Sequence, residues 1–537
     1  MLNRGVLELD MKKLIQFALL VFASSAFAAN VYVAQSSEGG NTGADCADAR
    51  ALSTLVAGDW VAGNTIHLCG TINFTAGTAG LVAQGSGTSG SPIIVQFETN
   101  AILQAPYFGG GGSCSSLGSC NAGIELYGYN DIIVDGGANG IVENTANGTN
   151  LAYQQTSAGV AVYGNNIIVR NLTVQNIYQN DPSSSDTAGA STTDVIAVQG
   201  ATNITLCNST LNAARVGLTS SAVGSATPIY PSPSCSSNTF TTGLNYFGNT
   251  LTDHCWMFLA GGTAATTVNI FNNNMSGTSN WQEAGNYYHT DGIISFGVPV
   301  TSYIYNNIFA NASFTTAAVF CTYGGSSSGS DCYVFNNLFV QEPSLCCSTP
   351  NGTAIWLQTT TGELAQTHYV FNNTIINYGV ALLPFGDGLT ITAENNLTTT
   401  GTTGFYFYSK GFGSNSLPSI LAASDYNSFY GGRGLSFAGT SYYGWPTGSW
   451  PGYSSWTTTG FDTHSVSANP NLNASYQLTS GSPAIGAATN LTSLCSTIAP
   501  LCYDAAGNAR PSSGAWDIGA YNYLTGVNAG GSFGFGW

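Results

Sequence analysis

Charged side chains make up only 7% of this 537-residue chain, so each one is informative, and one stretch collects more than its share. Between positions 253 and 291 lie Asp253, His254, Glu283, His289 and Asp291, with Trp256, Trp281, Tyr287 and Tyr288 among them. Two carboxyl groups held roughly 5 to 9.5 Å apart can serve as acid and base, or acid and nucleophile, on a glycosidic bond. Imidazoles titrate nearest neutrality and suit proton transfer. Flat aromatic side chains in a polar stretch suit the face of a sugar ring. Asp253, His254, Glu283, His289 and Asp291 are therefore the candidate catalytic groups. Trp256, Trp281, Tyr287 and Tyr288 are candidate substrate contacts. Asp194 and Arg215 join these contacts, Asp194 because it precedes Gly200 by the same interval that separates Asp291 from Gly297. The competing reading is structural: acids and histidines at chain corners commonly satisfy turn backbone groups.

These residues need a scaffold that brings distant segments together, and the sequence carries one. A short phrase returns as Ile-Val-Arg170-Asn171, Thr-Leu-Cys207-Asn208, Tyr-Phe-Gly248-Asn249, Ile-Phe-Asn272-Asn273, Ile-Tyr-Asn306-Asn307, Val-Phe-Asn336-Asn337, Val-Phe-Asn372-Asn373 and Thr-Ala-Glu394-Asn395. A second phrase, alternating apolar with small or polar residues, stops at Gly128, Gly164, Gly200 and Gly297. Short strands at period two, separated by turn residues, predict a coil of parallel strands stacking on itself. Asn tolerates left-handed backbone, and its amide can bond the same amide one coil away, at about 4.8 Å. The repeated asparagines are thus structural. In this register Asp194 and Asp291 share a column about three coils, roughly 14 Å, apart, too far for a carboxylate pair; Asp253 with Asp291 or Glu283 is closer.

Composition narrows the partners. With Lys+Arg 9 against Asp+Glu 26 and a net charge of −17, the surface repels phosphate backbones, which excludes nucleic acid. Lys12 and Lys13, the apolar run from Leu14 to Ala23 and Ala26-Phe27-Ala28 follow the order of a secretory signal over residues 1–28. That run is shorter than the roughly 20 residues a membrane span needs, so a soluble monomer secreted to the medium or cell surface is expected, without membrane insertion. Thirteen cysteines in an exported chain predict disulfide-closed loops, with Cys46–Cys69, Cys114–Cys120, Cys321–Cys332 and Cys495–Cys502 as the local pairings. Cys207, Cys235, Cys255, Cys346 and Cys347 cannot be paired from sequence.

The repeats resemble those of the pectin-lyase-like superfamily over roughly residues 31–430. The resemblance implies an all-β fold, a single-stranded right-handed parallel β-helix over 29–430. A tail of Ser482-Pro483-Ala484-Ile485-Gly486, Asp504-Ala-Ala-Gly507-Asn-Ala-Arg510-Pro511 and Asp517-Ile-Gly519-Ala-Tyr521 is similar to the closing segment of secreted bacterial β-helix repeat proteins. That similarity implies a cap over 471–537, with Arg510 pairing Asp504 or Asp517 and aromatic residues covering the last open coil, which would otherwise be a bare strand edge. Residues 431–470, with Trp445, Trp450 and Trp456 among glycines and prolines, read as a lateral loop or connector.

His289-Thr290-Asp291-Gly292 resembles the Asn-Thr-Asp-Gly element of polygalacturonases, which implies Asp291 as a carboxylate of the reaction; the Asp-Asp, Gly-His-Gly and Arg-Ile-Lys elements do not follow it. Pectate lyases rely on calcium and basic residues, whereas the central coils hold only Arg170 and Arg215 as cations. No cofactor or metal is expected, Asp131 and Asp135 being the weak calcium candidates. The reading is a polysaccharide-active or polysaccharide-binding protein, a hydrolase or lyase if catalytic, on an extended glycan more neutral than anionic. The alternative is a non-catalytic adhesin or structural rod.

Overall fold

The computed structural model describes residues 28–110, 120–181, 193–221, 227–230, 232–261, 266–278, 281, 290–295, 300–310, 316–322, 331–341, 352–359, 365–386, 388–399, 405–409, 420–431, 434–437, 440–443, 457–458 and 460–524. The leader read over 1–28 lies outside them except for Ala28, as do Cys114, Cys346, Cys347, Trp445, Trp450 and Trp456.

The described strands form one continuously paired sheet wound into a parallel β-helix. Each strand pairs in parallel with the strand a full coil later. The hairpin Gly434–Phe437 with Thr440–Tyr443 is antiparallel. Three strands make a coil: Val300–Tyr305, Ile308–Ala310 and Ala317–Cys321 stack on Cys332–Phe335, Leu338–Val340 and Thr353–Gln358, which stack on Gln366–Phe371, Thr374–Ile376 and Val380–Phe385. Inward residues of successive coils fill one core, for example Phe258, Ile293, Val319 and Ile355.

The Asn-Asn pair divides its work. The first asparagine makes the corner in left-handed backbone, with φ of 55° at Asn272, Asn306 and Asn336 and 53° at Asn372. The second turns inward. Nδ2 of Asn249, Asn273, Asn307, Asn337 and Asn373 each donates at 3.0 Å to Oδ1 of the next, ending on Asn396. Asn396 donates to Asn427 at 3.2 Å, and Asn427 to the buried carboxylate of Asp462 at 3.0 Å. Asn171 and Asn208 are corner residues, with φ of 54° and 50°, so the inward position of their coils falls to Leu172 and Ser209, and the amide column starts at Asn249.

Outside the coil, facing rings of Phe247, Phe271, Tyr305 and Phe335 stack 4.8 to 4.9 Å apart. The C-terminal segment lies along this ladder and covers it with Leu501, Trp516 and Ile518. At the end of the stack Asp462 and Val466 continue the coil, Asp462 N–H donating to Ser424 O at 2.7 Å and Phe429 N–H to Val466 O at 2.8 Å. The segment from 471 thus covers the flank, whereas Asp462 and Val466, within the range read as a lateral loop or connector, follow the last coil. Arg510 does not ion-pair with either aspartate. It donates to Asn336 Oδ1, Gly519 O and Asn522 Oδ1 at 2.9 to 3.1 Å, while Asp504 closes its own turn through the N–H groups of Ala506 and Asn508.

Disulfides join Cys46–Cys69, Cys207–Cys235, Cys321–Cys332 and Cys495–Cys502. Cys120 is also disulfide-bonded, and Cys255 keeps a buried thiol. Among the described residues no helix is long and apolar enough to cross a membrane.

Candidate functional site

The strands Thr193–Gln199, Thr210–Ser221, Thr250–Ala260 and Asp291–Ser295 lie on successive coils, and their register sets the site. Asp194 pairs with Val216, Val216 with Trp256 and Trp256 with Asp291, so the two aspartates share a column three coils apart. At strand spacing that is about 14 Å. Arg215 enters from the adjacent column: its N–H donates to Thr193 Oγ1 at 3.1 Å, and its guanidinium lies over the Trp256 ring, 4.6 Å from the centroid. Arg215 and Trp256 are both partly exposed.

Asp194 is buried and accepts from Thr219 Oγ1. Asp291 is fully buried, and one of its oxygens accepts from Ala317 N–H at 3.1 Å. Asp253 is half-buried at a corner with φ of 60°; its N–H donates to Gly277 O at 2.7 Å. The corner places Asp253 one coil below Asp291, three residues before the Trp256 that pairs with it.

Two assignments change. His254, expected to shuttle protons, points into the coil. It is fully buried, with Nε2 3.1 Å from Leu211 O and Nδ1 2.9 Å from Ala214 O and 3.3 Å from Ala214 N. Burial holds its pKa down at about 4, so it is neutral and structural at ordinary pH. The left-handed corner at Asp253 shifts the in–out alternation by one and turns the next side chain inward. Trp281, expected as an exposed platform, is fully buried against Tyr178 and Cys255, and its indole N–H donates to Asp253 O at 3.0 Å. It supports the Asp253 corner rather than a ligand. Glu283, Tyr287, Tyr288 and His289 lie outside the described residues.

The other described cations of the coils are committed to the fold. Arg170 pairs with Asp135 at 2.6 Å and donates to Cys235 O, Ser237 O and Asn238 Oδ1, fixing the loop that Cys235 closes. Arg50 pairs with Asp59 at 2.9 Å. Asp131 accepts from Asn166 Nδ2 at 2.8 Å, and among the described residues no group of three or more His, Cys, Asp or Glu could hold a metal ion.

Residues that the sequence did not single out complete the cluster. Tyr178 reaches it from an earlier coil, and the Cys255 thiol lies between Arg215 and Asp291. Burial pushes that thiol up to about 12, which removes it as a nucleophile. Thr193 and Thr290 precede the two aligned aspartates, and the repeated Thr-Asp pair was the available signal.

No family model matches this chain, and no curated protein does. Among solved structures it is similar to pectate lyase Pel9A, with a TM-score of 0.45 and 14% identity over 93% of this chain and 98% of that one. It is similar to the PL6 family alginate lyase AlyGC at 0.42 and 12%, over 79% of this chain and 53% of that one, about half the length of that enzyme. A GH136 lacto-N-biosidase from Eubacterium ramulus matches at 0.36 and 11%, over 76% of this chain and 67% of that one.

Proposed function

We propose that this is an exported protein that engages an extended polysaccharide along the lateral face of the coil, centred on Arg215 and Trp256. The observation that supports it most directly is the guanidinium of Arg215 held over the Trp256 ring, on the two coils between those that carry Asp194 and Asp291. A planar cation on an indole presents several N–H donors beside an apolar edge, the combination that hydroxyl-rich rings require. Groups that repeat every 4.8 Å or so along the axis suit a ligand that is itself a repeating chain. Four described disulfides agree with the export signal read in the sequence.

Where the glycan is cleaved, Asp291, the register partner of Trp256, is the candidate carboxyl group, and Arg215 is the group that would stabilise developing negative charge. Asp194, buried against Thr219, lies in the same column but is withdrawn from the surface. The separation of about three coils between Asp194 and Asp291 keeps them from acting as one pair.

The test is a screen of the purified mature chain against plant, algal and bacterial polysaccharides, with and without a calcium chelator, reading new reducing ends, unsaturated products and binding. Turnover that disappears in a folded Asp291→Asn variant supports the catalytic form of the proposal. Binding without turnover supports the recognition form. Neither binding nor turnover on any glycan would leave the structural rod as the better reading.

A further inference from the structure

The corner position of the coil is occupied by Asn171, Asn208, Gly248, Asn272, Asn306, Asn336, Asn372, Asn395 and finally Tyr426, all with φ between 50° and 68°. Glycine and asparagine accept this left-handed backbone; a bulky aromatic residue is an outlier there. Most of the later corner asparagines also have an outward task. Asn272 bonds Ser232 Oγ at 3.0 Å, Asn336 Nδ2 bonds Tyr503 O at 2.7 Å, and Asn395 exchanges two hydrogen bonds with the backbone of Thr489 at 2.9 and 3.0 Å. These amides tie down the segments that cover the flank.

Tyr426 makes no such tie. Its ring stacks on His464 with centroids 4.8 Å apart and planes 10° from parallel. Asp425 fixes both: Oδ1 accepts the N–H groups of Tyr426 and His464 at 2.9 and 2.8 Å, and Oδ2 meets His464 Nδ1 at 2.7 Å. The His464 side chain is 60% exposed. Glu394 is the register partner of Asp425 one coil back, and Thr463 is exposed beside them. Burial first, then the Asp425 charge, holds the Glu394 carboxyl above its ordinary range.

Nothing in the covering of the flank requires a tyrosine at this corner, and the backbone disfavours one. What the tyrosine adds is an oriented aromatic pair at the surface, edged by an imidazole nitrogen, a hydroxyl and two carboxyl groups. We propose that Tyr426, His464, Asp425 and Glu394 form a second carbohydrate subsite at the C-terminal end of the coil, one that takes an uncharged, hydroxyl-bearing sugar residue. The ring pair offers apolar surface to the sugar's C–H groups, and the carboxyl groups and Nε2 accept from its hydroxyls. Two carboxyl groups on neighbouring coils turn away a uronate. This inference rests on the glycan-binding reading above and adds a site that the central cluster does not contain.

The test titrates neutral cello-, xylo-, manno- and galacto-oligosaccharides into the full chain. Binding is followed by calorimetry, by Trp256-dependent fluorescence and by the imidazole NMR signal of His464, assigned with His464→Ala. The expected result is a His464 shift that survives in Trp256→Ala. Tyr426→Asn, which matches the corner column, should melt at the same or a higher temperature and weaken this subsite at least tenfold. A fluorescence response at the central site with a silent His464 signal overturns the second subsite alone. Unchanged affinity in Tyr426→Asn, or a lowered melting temperature, overturns it as well by making the tyrosine dispensable or structural. No response from any probe at either site sinks the glycan reading together with it.

Discussion

The guanidinium of Arg215 sits 4.6 Å from the ring centroid of Trp256, a residue 41 positions later in the chain that the coil brings onto the neighbouring rung. A cation over an indole contributes roughly 0.5 to 2 kcal/mol depending on its hydration. Arg215→Met keeps much of the stem's packing and removes the charge and its donors. The expected outcome is a loss of glycan affinity of about tenfold or more with a change in unfolding free energy of under about 2 kcal/mol. Affinity electrophoresis in polysaccharide gels beside urea denaturation measures both. A variant that binds as the parent does would move the site elsewhere.

The amide column predicts a large cost for one deletion. Asn307 donates from N–H and Nδ2 to Asn337 Oδ1 and from Nδ2 to Ile270 O, and its Oδ1 accepts from both nitrogens of Asn273, all at 2.8 to 3.1 Å. Each buried group left without a partner costs about 1 to 3 kcal/mol. Asn307→Ala should therefore destabilise by about 3 kcal/mol or more, read from urea midpoints at constant slope. The exposed asparagine at 139 serves as a control: Asn139→Ala should cost less, because water replaces its hydrogen bond to Asn100 and only the left-handed backbone, with φ of 65°, penalises alanine there.

Much of the scaffold was legible because one residue type does two jobs that few others can do: it takes the left-handed corner, and it chains inward amides. Asn273, Asn307, Asn337 and Asn373 announce their column through that chemistry. Asn171 and Asn208 satisfy the corner alone, and a pattern search cannot tell a corner asparagine from an inward one. Trp281 has polar sequence neighbours, Asn280 and Gln282, and reads as exposed; Tyr178 and Cys255, which bury it, arrive from other coils. His254 reads as an outward group until the left-handed Asp253 shifts the strand's alternation. The Cys207–Cys235 bridge closes over a loop whose path local spacing does not encode.

Two buried imidazoles give the fold a pH dependence of known sign. Burial lowers the pKa of His254 from 6.5 to about 4 and of His368 from 6.5 to about 3, and His368 Nδ1 accepts from Cys332 N–H at 3.2 Å in its neutral form. Below pH 6.5 or so the unfolded chain takes up protons that the folded chain refuses, so stability is complete above that pH and falls as the solution is acidified toward 4 and 3. Glu394, raised by burial, acts the other way near the lower end. His254→Gln should flatten the slope of urea midpoint against pH between about 6.5 and 4. An unchanged slope would show that His254 titrates normally and is not sealed in the coil.

Arg510 locks the flanking segment to the coil, and its removal should separate the two. The side chain is 5% exposed, lies over Trp516 at 5.4 Å, and donates to Asn336 of the coil and to Gly519 and Asn522 of its own segment. Hydrogen bonds from a charged donor contribute about 1.5 to 3 kcal/mol each, and two of the acceptors left behind, on Asn336 and Gly519, are buried. The loss falls on one segment, because the coil has its own core and its own amide column. Arg510→Met should open residues 471–524 locally, exposing the ladder of Phe247, Phe271, Tyr305 and Phe335. The expected signs are increased binding of an apolar dye, protease cuts confined to the segment, and hydrogen exchange of the coil amides close to that of the parent. If instead coil and segment lose protection together in a single transition, the segment is part of the coil's cooperative unit, and the ladder cannot be uncovered without unfolding the whole.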